Sequence, residues 1–370
     1  MQAASPAPPA AQGQIAAPPA PIPAADIVKV GILLPLSGAQ APLGQAMLNA
    51  AQMAVFDGGG NNFELLPRDT GDSPAGAQAA FRDAASSGAR LIVGPVFAAQ
   101  AAAIKPAAAQ AGINVLALTS DSSLAQPGLY VMGFSPGAQT RRIVAFAIAR
   151  GSPRLAALIP AGAYGDIVSA ALRETAARYG GAIVVAPRYN PGGETAALEA
   201  VAAERGQIDA LLIAEGGESL QRIAALLPNY QLAGGQLAGG HVRLLGTGLW
   251  DEDNLALRAP ALAGGWYAAP SPAERRRFIA NYRAAFAAVP PRLATIAYDA
   301  TALAVTLARR GVRVDAASLT NPSGFAGVDG IFRLNADGMA ERGLAVNQVA
   351  AQGVQPIDPA PASFTGSENR

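Results

Sequence analysis

The chain has 370 residues, enough for about two domains of ordinary size. Hydrophobic residues make up 51% and charged residues 14%, so it can bury a large core and is not disordered as a whole. Its 27 basic residues balance 26 acidic ones, which leaves no electrostatic footprint for nucleic acid, and the lack of cysteine excludes disulfides, thiolate metal sites and a cysteine nucleophile.

Residues 1–25 are almost entirely Ala, Pro and Gln. Proline interrupts helix and sheet alike, and the stretch has too few apolar anchors to pack, so it reads as an extended linker. It lacks a basic segment followed by an apolar one and is therefore not a signal peptide as it stands. After it, a branched apolar run at 27–36 predicts a first strand, followed by a helix over 43–57 that Gly58 and Gly59 stop. Strand, helix, strand, helix and strand follow at 62–70, 76–88, 89–96, 98–112 and 113–120. The rhythm restarts with a strand at 155–162, a helix at 167–180 and a strand at 182–189. A helix at 195–206, strand 209–215, helix 219–228 and strand 241–248 complete this second unit.

Continuous apolar strands alternating with helices argue for parallel sheets covered on both faces. The third stretch is different: helices at 271–287 and 294–311, then a hairpin pattern over 327–349 with Asp-Gly turns. Such a mixed ending is expected of a chain that crosses back between two lobes. The predicted division is 27–138 plus 268–322 for the first lobe and 139–267 plus 323–356 for the second, with 357–370 as a tail. No apolar run approaches the roughly 18 residues of a membrane span.

Chemistry is sparse. The lone histidine, His241, has no cysteine or second histidine to join it in a triad or metal site. Asp69 with Asp72, and Asp251 with Glu252 and Asp253, lack calcium-loop spacing, and capping after a strand is the better reading. The Gly-rich stretches 57–60 and 234–240 follow helices and lack Gly-Lys-Ser/Thr, so they are loops rather than phosphate cradles. Arg275-Arg276-Arg277 reads as a solvated helix face. No metal or cofactor is expected. In open parallel sheets, ligands bind beyond the carboxyl ends of the strands. Those positions are Ser37, Val96, Phe97, Ala98, Thr119, Ser120, Asp121, Tyr164, Gly165, Glu215, Gly216, Thr247 and Gly248. Most are small, hydroxylic or aromatic, which suits a small or flat ligand better than catalysis.

The strand ends also carry a resemblance. VKVGILLPLSGAQAPLGQAMLNAAQMAV at 28–55 resembles the opening of the Leu/Ile/Val-binding, type 1 periplasmic binding proteins. The Gly-Pro unit at 89–121, the Tyr-Gly opening at 163–174 and the closing segment 325–349 follow in the family's order. The resemblance covers about 27–350 and implies a two-lobed α/β fold with three crossovers. In the amino-acid binders, hydroxyls hold the ligand carboxylate where this chain has Ala98 and Ala99. An acid holds the ammonium where this chain has Gly248, while Tyr164 keeps the aromatic contact. Losing both partners of a zwitterion weakens binding by about 1.5–3 kcal/mol each.

A reduced cleft behind a Pro/Ala-rich linker resembles the penicillin-binding-protein activators of Gram-negative envelopes. That resemblance implies a lipid-anchored periplasmic protein that touches a peptidoglycan synthase, its anchor preceding residue 1. The alternative is a solute receptor that delivers an amino acid or amide to an ABC permease. An amide hydrolase on this scaffold is the third reading, and no nucleophile–base signature supports it. The first reading is thus a non-enzymatic envelope protein of the binding fold.

Overall fold

Strand β1 (Val28–Leu34) shows how an apolar run becomes the middle of a covered sheet. Val30, Ile32 and Leu34 enter one hydrophobic cluster and Leu33 another, because successive side chains point to opposite faces. Both faces are dry, so each face needs its own helices. The computed structural model describes residues 27–59, 62–233, 242–251, 259–350 and 353–364. The linker 1–25, loop 234–240, His241, Glu252, Asp253 and residues 365–370 lie outside the described residues.

The first sheet is parallel, in the order β2-β1-β3-β4-β5. Its elements run β1, α1 (Ala41–Gly58), β2 (Phe63–Asp69), α2 (Pro74–Ser86), β3 (Leu91–Val93), α3 (Ala98–Ala111), β4 (Asn114–Ala117) and β5 (Leu129–Val131). The chain then crosses through Gly133 and Phe134 into α4 (Pro136–Ala149). Gly133 passes so close to Thr119 that a Cβ would lie 2.3 Å from its carbonyl oxygen, so only glycine lets the crossing leave here.

The second sheet has eight strands in the order β16-β15-β11-β10-β9-β6-β7, with β8 also on β6. After α4 come β6 (Arg154–Pro160), α5 (Ala163–Tyr179), β7 (Ala182–Val185), β8 (Arg188–Tyr189), α6 (Glu194–Ala203), β9 (Ala210–Ile213), α7 (Gly217–Leu226), β10 (Arg243–Gly246) and β11 (Trp266–Ala269). The alternation repeats: Leu211 and Ile213 face one cluster, Ala210 and Leu212 the other. Each fully buried Leu or Ile contributes roughly 1.5–3 kcal/mol, so these two-sided strands are what fixes both sheets.

Pro270 and Ser271 return the chain to α8 (Pro272–Phe286), α9 (Ala294–Arg309) and α10 (Ala316–Leu319). Helices α8 and α9 pack with α1 on the first sheet. A small antiparallel sheet follows, β12 (Phe325–Gly327), β13 (Gly330–Leu334) and β14 (Ala340–Arg342). It belongs with the first lobe, against the expectation that 323–342 joins the second. Phe332, Leu334 and Ala340 point into the first-lobe cluster, and the Val131 amide donates to the Gly338 carbonyl at 2.8 Å. Only β15 (Ala345–Ala350), after a third crossing at Gly343 and Leu344, pairs with β11 in the second sheet.

Two other boundaries shift. The expected break at 138/139 falls inside α4, and the break at 267/268 falls inside β11. Residues up to Asp358 form β16 (Gly353–Asp358), antiparallel to β15, where a tail from 357 was expected. Asp358 pairs with Arg142 of α4. Beyond it the chain turns back: Pro361 lies against Gly343, and Phe364, 5% exposed, stacks at 4.7 Å under Arg333 and fills the space left by Gly324.

Candidate functional site

The three crossings leave a cavity of about 300 Å³ between the lobes. Its first-lobe wall is built from the ends of β3 and β4: Val96, Phe97 and Ala98, then Leu118, Thr119 and Ser120. Arg292 and Leu293, just before α9, complete that wall, and Phe134 forms the floor at the first crossing. From the second lobe come Gln139 of α4, Tyr164 of α5, Gly248 and Leu249 after β10, and Pro270. The wall is mostly apolar and aromatic with a few polar groups, the usual character of a small-molecule pocket.

Seven of the strand-end residues singled out from sequence line this cavity together: Val96, Phe97, Ala98, Thr119, Ser120, Tyr164 and Gly248. Thr247 stands behind the wall, fully buried, with its hydroxyl 2.9 Å from the Tyr164 hydroxyl. Ala99, one position further into α3, is exposed and does not line the cavity. Ser37 is turned to Asp69, whose carboxylate accepts the main-chain N–H groups of Leu36 (2.8 Å), Ser37 (3.2 Å) and Gly71 (2.8 Å). Burial opposes the charge on Asp69, but the Ser37 hydroxyl and these amides outweigh it and hold its pKa below the usual carboxylate range. Asp72 accepts from the Ala39 amide at 2.9 Å.

Glu215 follows β9 but turns toward the Tyr189 hydroxyl at 2.7 Å, away from the cavity wall. Burial raises its pKa, even though the Tyr189 bond works against the rise. Asp251 is bonded by the Tyr267 hydroxyl at 3.1 Å and paired with Arg275, so one arginine of the run at 275–277 bridges to the second lobe while Arg276 and Arg277 stay exposed. Among the described residues no group of three or more His, Cys, Asp or Glu gathers as a metal site.

Sequence reasoning missed Phe134, Gln139, Leu249, Pro270 and Arg292. Gln139 explains the glycine at 248. Its Oε1 accepts the Gly248 amide at 3.0 Å, and a Cβ on Gly248 would come within 2.4 Å of its Nε2. The space of a side chain at 248 is therefore taken by a neutral amide. On the opposite wall, helix α3 begins at Phe97, which offers no side-chain oxygen as a cap, whereas Ser73 and Ser135 cap α2 and α4. The first amides of α3 thus meet the cavity without a side-chain cap, at the positive end of the helix dipole.

Beside the floor lies a buried charge network. Arg292 Nη1 donates to Asp329 Oδ2 at 2.9 Å and to the Thr295 hydroxyl at 2.8 Å. Arg342 Nη1 donates to Asp299 Oδ2 at 2.8 Å. The Phe134 ring has both guanidinium groups over it, at 4.0 Å for Arg292 and 5.1 Å for Arg342. Asp299 and Asp329 are fully buried. Burial, moderated by Arg342, leaves Asp299 raised to about 6, while Asp329 is held low by Arg292.

Two parallel-sheet lobes, three crossings and a cavity between them define a binding-protein architecture. The profile of the periplasmic binding protein family matches residues 27–354, and the chain belongs to that family, one of binding proteins and not of enzymes. No curated protein matches it by sequence. Among solved structures it is similar to a branched chain amino acid ABC transporter periplasmic ligand-binding protein from Burkholderia xenovorans LB400, with TM-score 0.74 and 18% identity over 92% of this chain and 97% of that one. An ABC transporter substrate-binding protein from Sphaerobacter thermophilus is similar at TM-score 0.72 and 19% identity, over 91% of this chain and 100% of that one. A solute binding protein of an ABC transporter from Rhodopseudomonas palustris BisB5, in complex with 3,4-dihydroxy benzoic acid, gives 0.66 and 20%, over 90% and 97%.

Proposed function

We propose that the chain is the solute receptor of an ABC transporter, working in the periplasm and handing a small, largely apolar solute to a permease. The observation that carries this reading is the interlobe cavity of about 300 Å³, walled by both lobes and lined by Phe97, Phe134 and Tyr164. That volume is at the small end of ligand pockets, and three aromatic rings favour a flat solute. The benzoate-type acids held by similar structures from Rhodopseudomonas palustris are of this shape. The moving units are 27–135 with 272–342, and 136–269 with 345–358, which hinge at the three crossings.

The reading as an activator of a peptidoglycan synthase rests on a reduced cleft, without the carboxylate- and ammonium-binding side chains, behind a Pro/Ala-rich linker. The cavity keeps Gln139, Thr119, Ser120 and Arg292, and that polar set favours the receptor. A thermal-shift panel of aromatic acids, amides, amino acids and wall peptides tests the choice. A solute at 100 times its Kd stabilises the folded chain by about 2.7 kcal/mol. If none raises the melting temperature, the receptor reading is wrong, and binding of a soluble peptidoglycan synthase would then favour the activator.

A further inference from the structure

Arg292 is the one charged side chain on the cavity wall among the described residues, and no Asp or Glu joins it there. Its guanidinium is fixed before any ligand arrives: Asp329 and Thr295 hold Nη1 from behind, and the Phe134 ring lies 4.0 Å beneath it. Only 11% of the side chain is exposed. An arginine held this way presents a rigid, planar donor edge, which suits a carboxylate better than a flexible lysine would. The start of α3, with its amides at Phe97 and Ala98, borders the same cavity. On the far wall Gln139 places a neutral amide over Gly248, leaving no anion there to hold a cationic group.

We infer that Arg292 is the residue that reads the charge of the solute, and that the solute is an organic carboxylate with an apolar body and no ammonium group. The inference rests on the receptor reading above and narrows its ligand class. Attraction on one side is matched by exclusion on the other. An α-amino acid would bring its ammonium into a cavity with a fixed cation and no carboxylate, and desolvating that charge without a partner is unfavourable. The Arg292–Asp329 pair also ties recognition to the hinge, because Phe134, stacked under Arg292, is itself the first crossing.

Calorimetry on the purified chain with two matched pairs tests this. Benzoate is compared with benzamide, and 4-methylpentanoate with leucine, which differs from it by the amino group. The carboxylate of each pair is expected to bind at least about tenfold more tightly than its counterpart. Gln139→Glu keeps the acceptor for the Gly248 amide but adds a negative charge on the cavity wall. With its melting temperature near that of the parent, it should bind the carboxylates about tenfold more weakly and leucine no worse. Equal or tighter binding of benzamide or leucine by the parent chain overturns the inference, and so does unchanged carboxylate binding by the variant. If none of the four binds while an amide, amino acid or wall peptide of the thermal-shift panel does, the inference falls and the receptor reading stands. If no solute binds, both fall.

Discussion

Replacing Arg342 by Met should expose what the buried network contributes. Arg342 is 5% exposed in its side chain and Asp299 is 0%, so the substitution removes the cation that faces a fully buried carboxylate. Breaking such a pair from one side typically destabilises by about 3–5 kcal/mol, because a lone charge stays inside. The loss should depend on pH, and its sign follows from Asp299. Burial lifts that carboxyl from 3.8 to about 6; Arg342 pulls it down and Asp329 pushes it up again. A folded-state pKa above the unfolded one favours the protonated folded form, so its contribution is full below pH 3.8 and is lost as pH rises through about 6. Without Arg342 the carboxyl rises further. Urea unfolding of Arg342→Met, followed through Trp250 and Trp266, should therefore show a deficit of about 3–5 kcal/mol at pH 8 and a clearly smaller one at pH 5. A deficit below about 1 kcal/mol at pH 8, or one equal at both pH values, would refute the reasoning.

Free leucine, isoleucine and valine should bind more weakly than a Kd of about 0.1 mM, roughly −5.5 kcal/mol; micromolar heats in calorimetry would contradict the cavity described above. Gly248→Ala puts a methyl 2.4 Å from Gln139 Nε2 and must displace that amide. It should lower stability by about 1–3 kcal/mol and weaken every solute, measured by urea unfolding and calorimetry, whereas unaltered binding would mean that Gln139 is not part of the site. Asp209 accepts the Arg154 amide at 2.9 Å and its guanidinium, and Arg154 holds its pKa low against burial. Its contribution is present above the unfolded carboxylate value and is lost as pH falls through the lower folded one. Asp209→Asn should accordingly lose stability at pH 7 and approach the parent as the pH falls well below the ordinary carboxylate range, and a constant difference across that range would count against the assignment.

The wall formed by Phe97, Ala98, Thr119 and Ser120 was legible because it follows from the sheet itself. Strands such as β3 and β4, dry on both faces, must be covered by helices, and that leaves their carboxyl ends as the open side. The same rule misplaced Ser37 and Glu215. Whether a strand-end side chain faces the cleft depends on a single step of register and on loop capping. Ser37 is captured by Asp69, and Glu215 by Tyr189. Gln139 lies at the start of α4, just after the first crossing, and Arg292 in the connection between α8 and α9; at neither place does spacing along the chain carry information about the opposite lobe. The alternation of 325–342 revealed a hairpin but not which core it faces. Phe332 and Leu334 are equally good inward residues for either lobe, and the Arg342–Asp299 pair and the Val131 contact that anchor the hairpin join residues distant in sequence.

The backward turn of the chain after Asp358 sets a limit on the travel of the lobes. Asp358 is fastened to Arg142 in the second lobe, and Phe364 is seated under Arg333 in the first. The stretch between them can extend to about 20 Å at most. On the side of the third crossing, the gap can therefore widen only until this short tether is taut; beyond that, Phe364 must leave its seat. Shortening the tether by loop deletion would hold the two lobes closer together, while ending the chain at Asp358 would let the cleft gape further, a change in radius of gyration that solution X-ray scattering reads directly.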